Sequence, residues 1–192
     1  MKVLVACEFS GTVRDAFIQR GHEAISCDLL ASDTAGPHLQ CDISEVDVTP
    51  FDLVVSFPPC THLAVSGARW FKDKQAEQAE ALEFFKYLLN LPVPRIAVEN
   101  PIGIVSTRIR KPDQIIQPWM FGHPESKATC LWLHNLPPLR PTNILPIPLS
   151  GRWDNQTPSG QNRLGPSPDR WKLRSKTYQG IADAMAEQWG NL

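Results

Sequence analysis

At 192 residues and 21.5 kDa, with 42% hydrophobic and 20% charged residues, the chain has the composition of a globular domain with a sizeable core. A net charge of −1 excludes a polycation, so any contact with nucleic acid has to come from a local patch. No apolar run approaches membrane-span length, no signal peptide opens the chain, and the five cysteines contain no C-x-x-C pair, which points away from a disulfide framework or zinc site. The expectation is one cytoplasmic catalytic domain over 1–192, with no membrane and no metal.

Lys2 to Cys7 reads as a first strand, and Glu8-Phe9-Ser10-Gly11 as the turn after it. Val13, Ala16 and Phe17 recur at helical spacing, which predicts a helix from Thr12 to Gly21. His22 to Cys27 is a second strand ending at Asp28, and Leu39-Gln40-Cys41 a short third ending at Asp42. A fourth runs from Phe51 to Ser56. Ala76, Ala79, Leu82, Phe85, Leu88 and Leu89 form one apolar stripe, which predicts a helix over Phe71 to Leu91, stopped by Pro92 and Pro94. Arg95 to Val98 is a fifth strand closed by Glu99-Asn100-Pro101, and the pattern weakens from Ile102 to Gln117. The alternation of Thr129, Leu131 and Leu133 suggests a strand over Lys127 to His134. Prolines crowd the stretch from 136 to about 170, which reads as an extended arm or lid over the site. Tyr178 to Trp189 is a last helix. Strand–helix alternation with short links predicts an α/β fold, a doubly wound and mostly parallel sheet.

Ligands bind at the carboxyl ends of the strands in such a sheet. The strand ends here would gather Phe9-Ser10-Gly11, Asp28, Asp42, Pro59-Cys60 and Glu99-Asn100 on one edge. Cys60 follows two prolines, so a stiff turn presents its thiol where an α/β enzyme places a nucleophile. Taken alone, it reads more readily as a packed loop cysteine, and the two aspartates as solvated helix caps. Glu99 ends an apolar strand and therefore needs a partner. Asp28 lies about twenty residues past the first turn, where nucleotide-binding folds place an acid on ribose hydroxyls. The turn has one glycine rather than G-x-G-x-x-G, which favours a nucleoside cofactor without a pyrophosphate, S-adenosylmethionine being the common one. Asp42 would then receive the adenine amino group. Between 151 and 178, Arg152, Arg163, Arg170, Lys172, Arg174 and Lys176 outnumber two aspartates, with Trp153, Trp171 and Tyr178 interleaved. Such a patch suits a phosphate backbone or a nucleotide; a solvated loop is the alternative.

These residues resemble the DNA cytosine-5 methyltransferases over roughly the first hundred positions. The family's F-x-G-x-G looks like Phe9-Ser10-Gly11-Thr12-Val13, with Val13 for the second glycine. Its acid after the second strand resembles Asp28, and its D-I pair resembles Asp42-Ile43. Its P-C-Q-x-F-S-x-x-G looks like Pro59-Cys60-Thr61-His62-Leu63-Ala64-Val65-Ser66-Gly67, where Pro, Cys and the distant Gly match. Its E-N-V is similar to Glu99-Asn100-Pro101, and Tyr178 to Ala184 faintly resembles its G-N-(S/A)-V-P helix start. The family's Q-x-R-x-R has a counterpart in Arg108 and Arg110, closer to Glu99-Asn100 than usual. No stretch corresponds to its large target-recognition domain.

The resemblance implies S-adenosylmethionine held by Phe9, Ser10, Gly11, Asp28, Asp42 and Pro59, and methyl transfer to cytosine C5. Cys60 would add to C6, a protonated Glu99 would donate to N3, Asn100 would hold the loop, and Arg108 or Arg110 would hold O2 or a phosphate. DNA is the implied partner. A free cytosine nucleotide is the variant that would explain the missing recognition domain. A non-catalytic nucleic-acid binder on the same fold is the second class, and a nicotinamide-dependent oxidoreductase a weaker third. His62, two residues after Cys60, would lower the thiol's pKa or simply face solvent. Lys127-Ala128-Thr129 is placed near the site without a chemical role.

Overall fold

The computed structural model describes residues 1–65, 73–160 and 162–192. Strands β1 (Lys2–Ala6), β2 (Glu23–Asp28), β3 (His38–Gln40), β4 (Leu53–Ser56), β5 (Ile96–Pro101), β6 (Gln114–Ile116) and β7 (Thr129–His134) form one sheet, ordered β3-β2-β1-β4-β5-β7-β6. The pairs from β3 to β5 are parallel, whereas β7 runs antiparallel to both β5 and β6. The chain winds outward from β1 to β3, then returns to β4 on the other side of β1. That reversal leaves a crevice above the carboxyl ends of β1 and β4.

Two apolar layers flank the sheet. On one face α1 (Thr12–Gln19) and α5 (Gln179–Trp189) bring Val13, Phe17, Met185 and Trp189 against Val3, Val5 and Val55. On the other, α2 (Gln75–Leu89) brings Phe85 and Leu88 against Leu4, Val54, Val98 and Trp132. Phe85 meets Trp132 edge-on, with ring centroids 5.0 Å apart. Both rings are fully buried, and each such large apolar side chain contributes roughly 1.5–3 kcal/mol. No described helix is long and apolar enough to cross a membrane.

The expected α/β doubly wound sheet is present, with local corrections. The third strand pairs His38–Gln40 with Ser26–Asp28, so it ends before Cys41. The helix expected to start at Phe71 is described from Gln75; Phe71 and Lys72, like Ser66 and Gly67 of the Pro-Cys stretch, lie outside the described residues. The weak segment after Ile102 holds a single-turn helix α3 (Val105–Arg108) and strand β6. Three residues of β6 are too few to show a period, and only pairing with β7 identifies them. A short helix, α4 (Arg170–Ser175), follows the arm.

Candidate functional site

The chain leaves β1 through Cys7, whose φ of 58° is left-handed. The next side chain, Glu8, is buried and turns back onto α1. Its Oε1 accepts the Val13 N–H at 2.7 Å and its Oε2 the Arg14 N–H at 3.2 Å. Glu8 therefore caps α1 in place of Gly11, which has no side chain to do so. Burial pushes the Glu8 carboxyl up, against the pull of those two amides. Gly11 has φ 74°, and a Cβ there would meet Thr34 Oγ1 at 2.2 Å. The glycine thus admits the loop after β2 rather than leaving a gap.

Arg14 locks that loop. Its side chain is fully buried, with Nε on Asp15 Oδ1 at 2.8 Å. Nη1 donates to Ser26 Oγ, Ser32 Oγ and the Pro37 carbonyl, and Nη2 to Thr34 Oγ1 and the Ala35 carbonyl. From the far side α4 closes over the turn: Trp171 packs on Phe9 with centroids 5.8 Å apart, and Lys172 and Lys176 pair with Asp33 at 2.6 and 3.0 Å. Ser10 is buried and its hydroxyl is spent on Glu8 and Thr12.

Asp28 ends β2 half-buried, accepting the Leu30 N–H at 2.9 Å. Burial pushes its carboxyl up, opposed by the Leu30 and Leu29 amides and by His38. Asp42 is differently placed. Its Oδ1 accepts from the Ser44 amide and hydroxyl at 2.8 and 2.7 Å, and Glu45 closes a capping box on its own N–H. Those bonds hold its carboxyl below the usual range. Asp42 is a cap of the 3-10 turn Ile43–Glu45, although its charge, with that of Asp28, still reaches Cys7.

Cys60 and Glu99 come together at the ends of β4 and β5. Cys60 is exposed, and its carbonyl accepts the Leu63 and Ala64 amides at 3.0 and 2.9 Å, opening a tight turn. That turn is stitched to the end of β5 by Val65 N–H to the Ile102 carbonyl and Ile104 N–H to the Leu63 carbonyl. The approach is close enough that a Cβ on Gly103 would sit 2.1 Å from the Leu63 carbonyl oxygen. Asn100, with no exposed surface, donates its amide to the Pro58 carbonyl at 2.9 Å, and its Oδ1 has no partner among the described residues. Pro59 is exposed beside Cys60.

Desolvation pushes the Cys60 thiol up and the neighbouring Glu99 pushes it further, while Lys127 and Arg174 pull it down. Glu99 keeps only a partial opening to solvent, and desolvation pushes its carboxyl up against Lys127 and a hydrogen bond from Thr129. At neutral pH this is a reluctant thiol beside a carboxyl biased toward its protonated form.

Lys127 and Thr129 reach this group because β7 is antiparallel. Its first residue, Thr129, pairs with Pro101, so the start of β7 meets the end of β5. Sequence reading left this segment without a role; the alternation around Leu131 was the one signal, and it gave no direction. Glu8, Arg14 and Gly103 were missed as well. Of the arginines of the expected Q-x-R-x-R counterpart, Arg110 is engaged elsewhere. Arg110 is spent on Asp113 at 2.8 Å and on the Leu133 carbonyl, toward the far end of β7 where β5 begins. Arg108 is exposed on α3. His62 is half-buried with Nδ1 unpartnered among the described residues, and it does not perturb Cys60.

A cavity of about 880 Å³ opens beside the pair, lined by Val65, Ile102, Lys127, Arg163, Arg174 and Tyr178 among others. Cys60 and Glu99 do not themselves line it, but Lys127 and Arg174, whose charges reach Cys60, do. Residues 155–164 of the proline-rich stretch and 173–178 after it contribute to the wall. Among the described residues no three His, Cys, Asp or Glu side chains converge as a metal ion would require.

No protein-family model matches the chain, and no curated protein is similar to it in sequence. Its fold is similar to that of a solved E. coli structure, provisionally described as a DNA modification methyltransferase encoded within a prophage. The two superpose with a TM-score of 0.50 at 14% identity, over 79% of this chain. The chain spans about half of that structure's length, 53%. The likeness supports a Rossmann-like α/β fold for the sheet.

Proposed function

We propose that this chain is an S-adenosylmethionine-dependent methyltransferase that methylates C5 of cytosine in DNA through a covalent adduct of Cys60. The observation that carries the reading is the pairing of Cys60 and Glu99. Cys60, on an exposed turn past β4, lies close enough to Glu99 at the end of β5 for the carboxyl to raise its pKa, and burial raises that of Glu99, beside a cavity of about 880 Å³. Cytosine C5 is a poor nucleophile until a sulfur adds at C6. Cys60, once deprotonated, forms that S–C6 bond, and the electron pair moves toward N3. Glu99, protonated, donates to N3 and neutralises the charge that develops there. Asn100 fixes the Pro58 carbonyl and with it the loop that aims Cys60. C5, now enamine-like, would take the methyl as the sulfonium's S–CH3 bond breaks and the thioether leaves. Loss of the C5 proton to solvent then re-forms C5=C6 and expels the Cys60 thiolate, and Glu99 recovers the N3 proton. A target base in a duplex has to leave the stack to reach these groups.

The residues at the crevice fit an adenosyl cofactor. Asp28 ends β2 with a half-buried carboxylate positioned to accept from a ribose diol, and the buried Phe9 offers an apolar contact. S-adenosylmethionine supplies an electrophilic methyl on a sulfonium when bound there. Asp42, committed to its cap, contributes charge rather than a free acceptor. One observation favours the non-catalytic reading: the side chains of Thr34 and Arg14 already fill the space next to Gly11.

Incubation with a DNA substrate containing 5-fluorocytosine and the cofactor tests the reading. Wild type should form a denaturation-resistant adduct, and Cys60→Ser none. Methyl transfer without any adduct would overturn the mechanism. Labelled methyl transfer to duplex, single strand and dCMP separates the DNA version from the free-nucleotide one, and a chain that binds S-adenosylhomocysteine with no transfer would be a scaffold.

A further inference from the structure

Four cations converge on the wall of the cavity: Lys127, Arg163, Arg174 and Lys176. One carboxylate, Glu125, shares it, and its Oε2 already accepts from the Tyr178 hydroxyl and the Asn155 amide. Lys176 is balanced by Asp33. Lys127 Nζ donates to the Arg174 carbonyl at 2.8 Å and lies 5.7 Å from the Tyr178 ring centre. Neither Arg163 nor Arg174 forms an ion pair among the described residues, and of the arginines these two line the cavity.

Two arginines on the wall of one concave pocket, without a carboxylate partner among the described residues, make a site for an anion. Their planar donor geometry matches phosphate oxygens. The rest of the lining suits what a nucleotide attaches to that phosphate. Val65, Ile102, Leu164 and Leu173 are apolar, and Asn162 and Gln156 carry amides. A volume of about 880 Å³ accommodates a nucleotide but not a duplex.

We propose that Arg163 and Arg174 form a phosphate subsite that grips the phosphate of the acceptor nucleotide, whether free or part of a strand. It rests on the nucleotide-methylation reading above. Arg174 links the subsite to the chemistry, because its charge also reaches Cys60. Substrate capture then belongs to the stretch between 155 and 178 of this chain.

Calorimetric titration of the full chain with dCMP, deoxycytidine and a short single-stranded oligonucleotide tests this. Wild type should bind dCMP or the oligonucleotide at least about tenfold more tightly than deoxycytidine, as expected for charge-assisted bonds to one phosphate. That advantage should disappear in the R163Q/R174Q double variant, recover in part with R163K/R174K, and persist in K86Q. Arginine-dependent binding of dCMP identifies a free nucleotide as a sufficient source of the phosphate; the same dependence with the oligonucleotide alone identifies a strand. Equal wild-type affinity for dCMP and deoxycytidine, with an oligonucleotide that binds the double variant as tightly as wild type, would overturn the subsite, as would no binding of any probe. The wild-type comparison needs no variant to fold. Methyl transfer is a separate readout: binding that follows the arginines without any transfer would retire the enzymatic reading and leave the subsite standing.

Discussion

Replacing Arg14 by methionine keeps an unbranched side chain of similar reach and removes the guanidinium that ties the loop after β2 to α1. The side chain has 0% exposure, and its Nε lies 2.8 Å from Asp15. Deleting one partner of a buried ion pair costs about 3–5 kcal/mol, because the other is left uncompensated. Asp15 is 33% exposed, so water can take over its solvation and the lower end applies. The five remaining acceptors lie in residues 26–37, and most can hydrate once the loop lifts, so their bonds do not add in full. The expected loss is about 3 kcal/mol, a large part of the roughly 5–15 kcal/mol available to a domain. Urea unfolding followed by circular dichroism would read it, and limited proteolysis should show new cleavage between 29 and 37. S-adenosylhomocysteine affinity should fall too, because that loop follows directly from Asp28. A loss under about 1 kcal/mol with the loop still protected would refute the reasoning, and would mean that the Asp33 pairs with Lys172 and Lys176 hold the segment instead.

Glu99→Gln should abolish adduct formation while raising the Tm at pH 8. The folded carboxyl titrates above its ordinary value, so between the two pKa values the native state holds a proton that the unfolded chain has released. Wild type therefore loses stability as pH rises from the ordinary carboxylate range through the folded pKa, and the variant lacks that increment. Glu8 and Asp28 shift in the same direction in both proteins and cancel in the difference between the two denaturation curves, which leaves Glu99 together with its push on Cys60 and Cys130; a variant less stable than wild type at pH 8 would contradict the assignment. Asn100→Ala should cost about 1–2 kcal/mol, since the Pro58 carbonyl loses its donor while an unpartnered Oδ1 disappears. Freed from Asn100, the Cys60 loop should be alkylated by iodoacetamide at a changed rate, and unaltered alkylation with unaltered stability would show that Asn100 does not hold it.

Much of the fold was legible because local patterns carry it. The apolar runs at Val3–Ala6 and Leu53–Val55 and the stripe through Phe85 and Leu88 encode burial directly, and burial is what the sheet and helices satisfy. Strand alternation likewise placed Asp28, Cys60 and Glu99 near one rim, since parallel strands end on the same side. Direction and partnership are different matters, decided by contacts between residues far apart in the chain. Nothing in Thr129 to His134 says that the strand runs backwards, yet that reversal carries Lys127 and Thr129 to Glu99. Asp42 looks the same in sequence whether it meets a ligand or caps a turn, and Arg110 whether it meets a base or Asp113. Arg14 reads as an exposed helical charge until the loop of residues 32–37 folds over it. A side chain's type fixes which bonds it is able to make, whereas the packed chain alone decides which partner arrives and whether water is shut out.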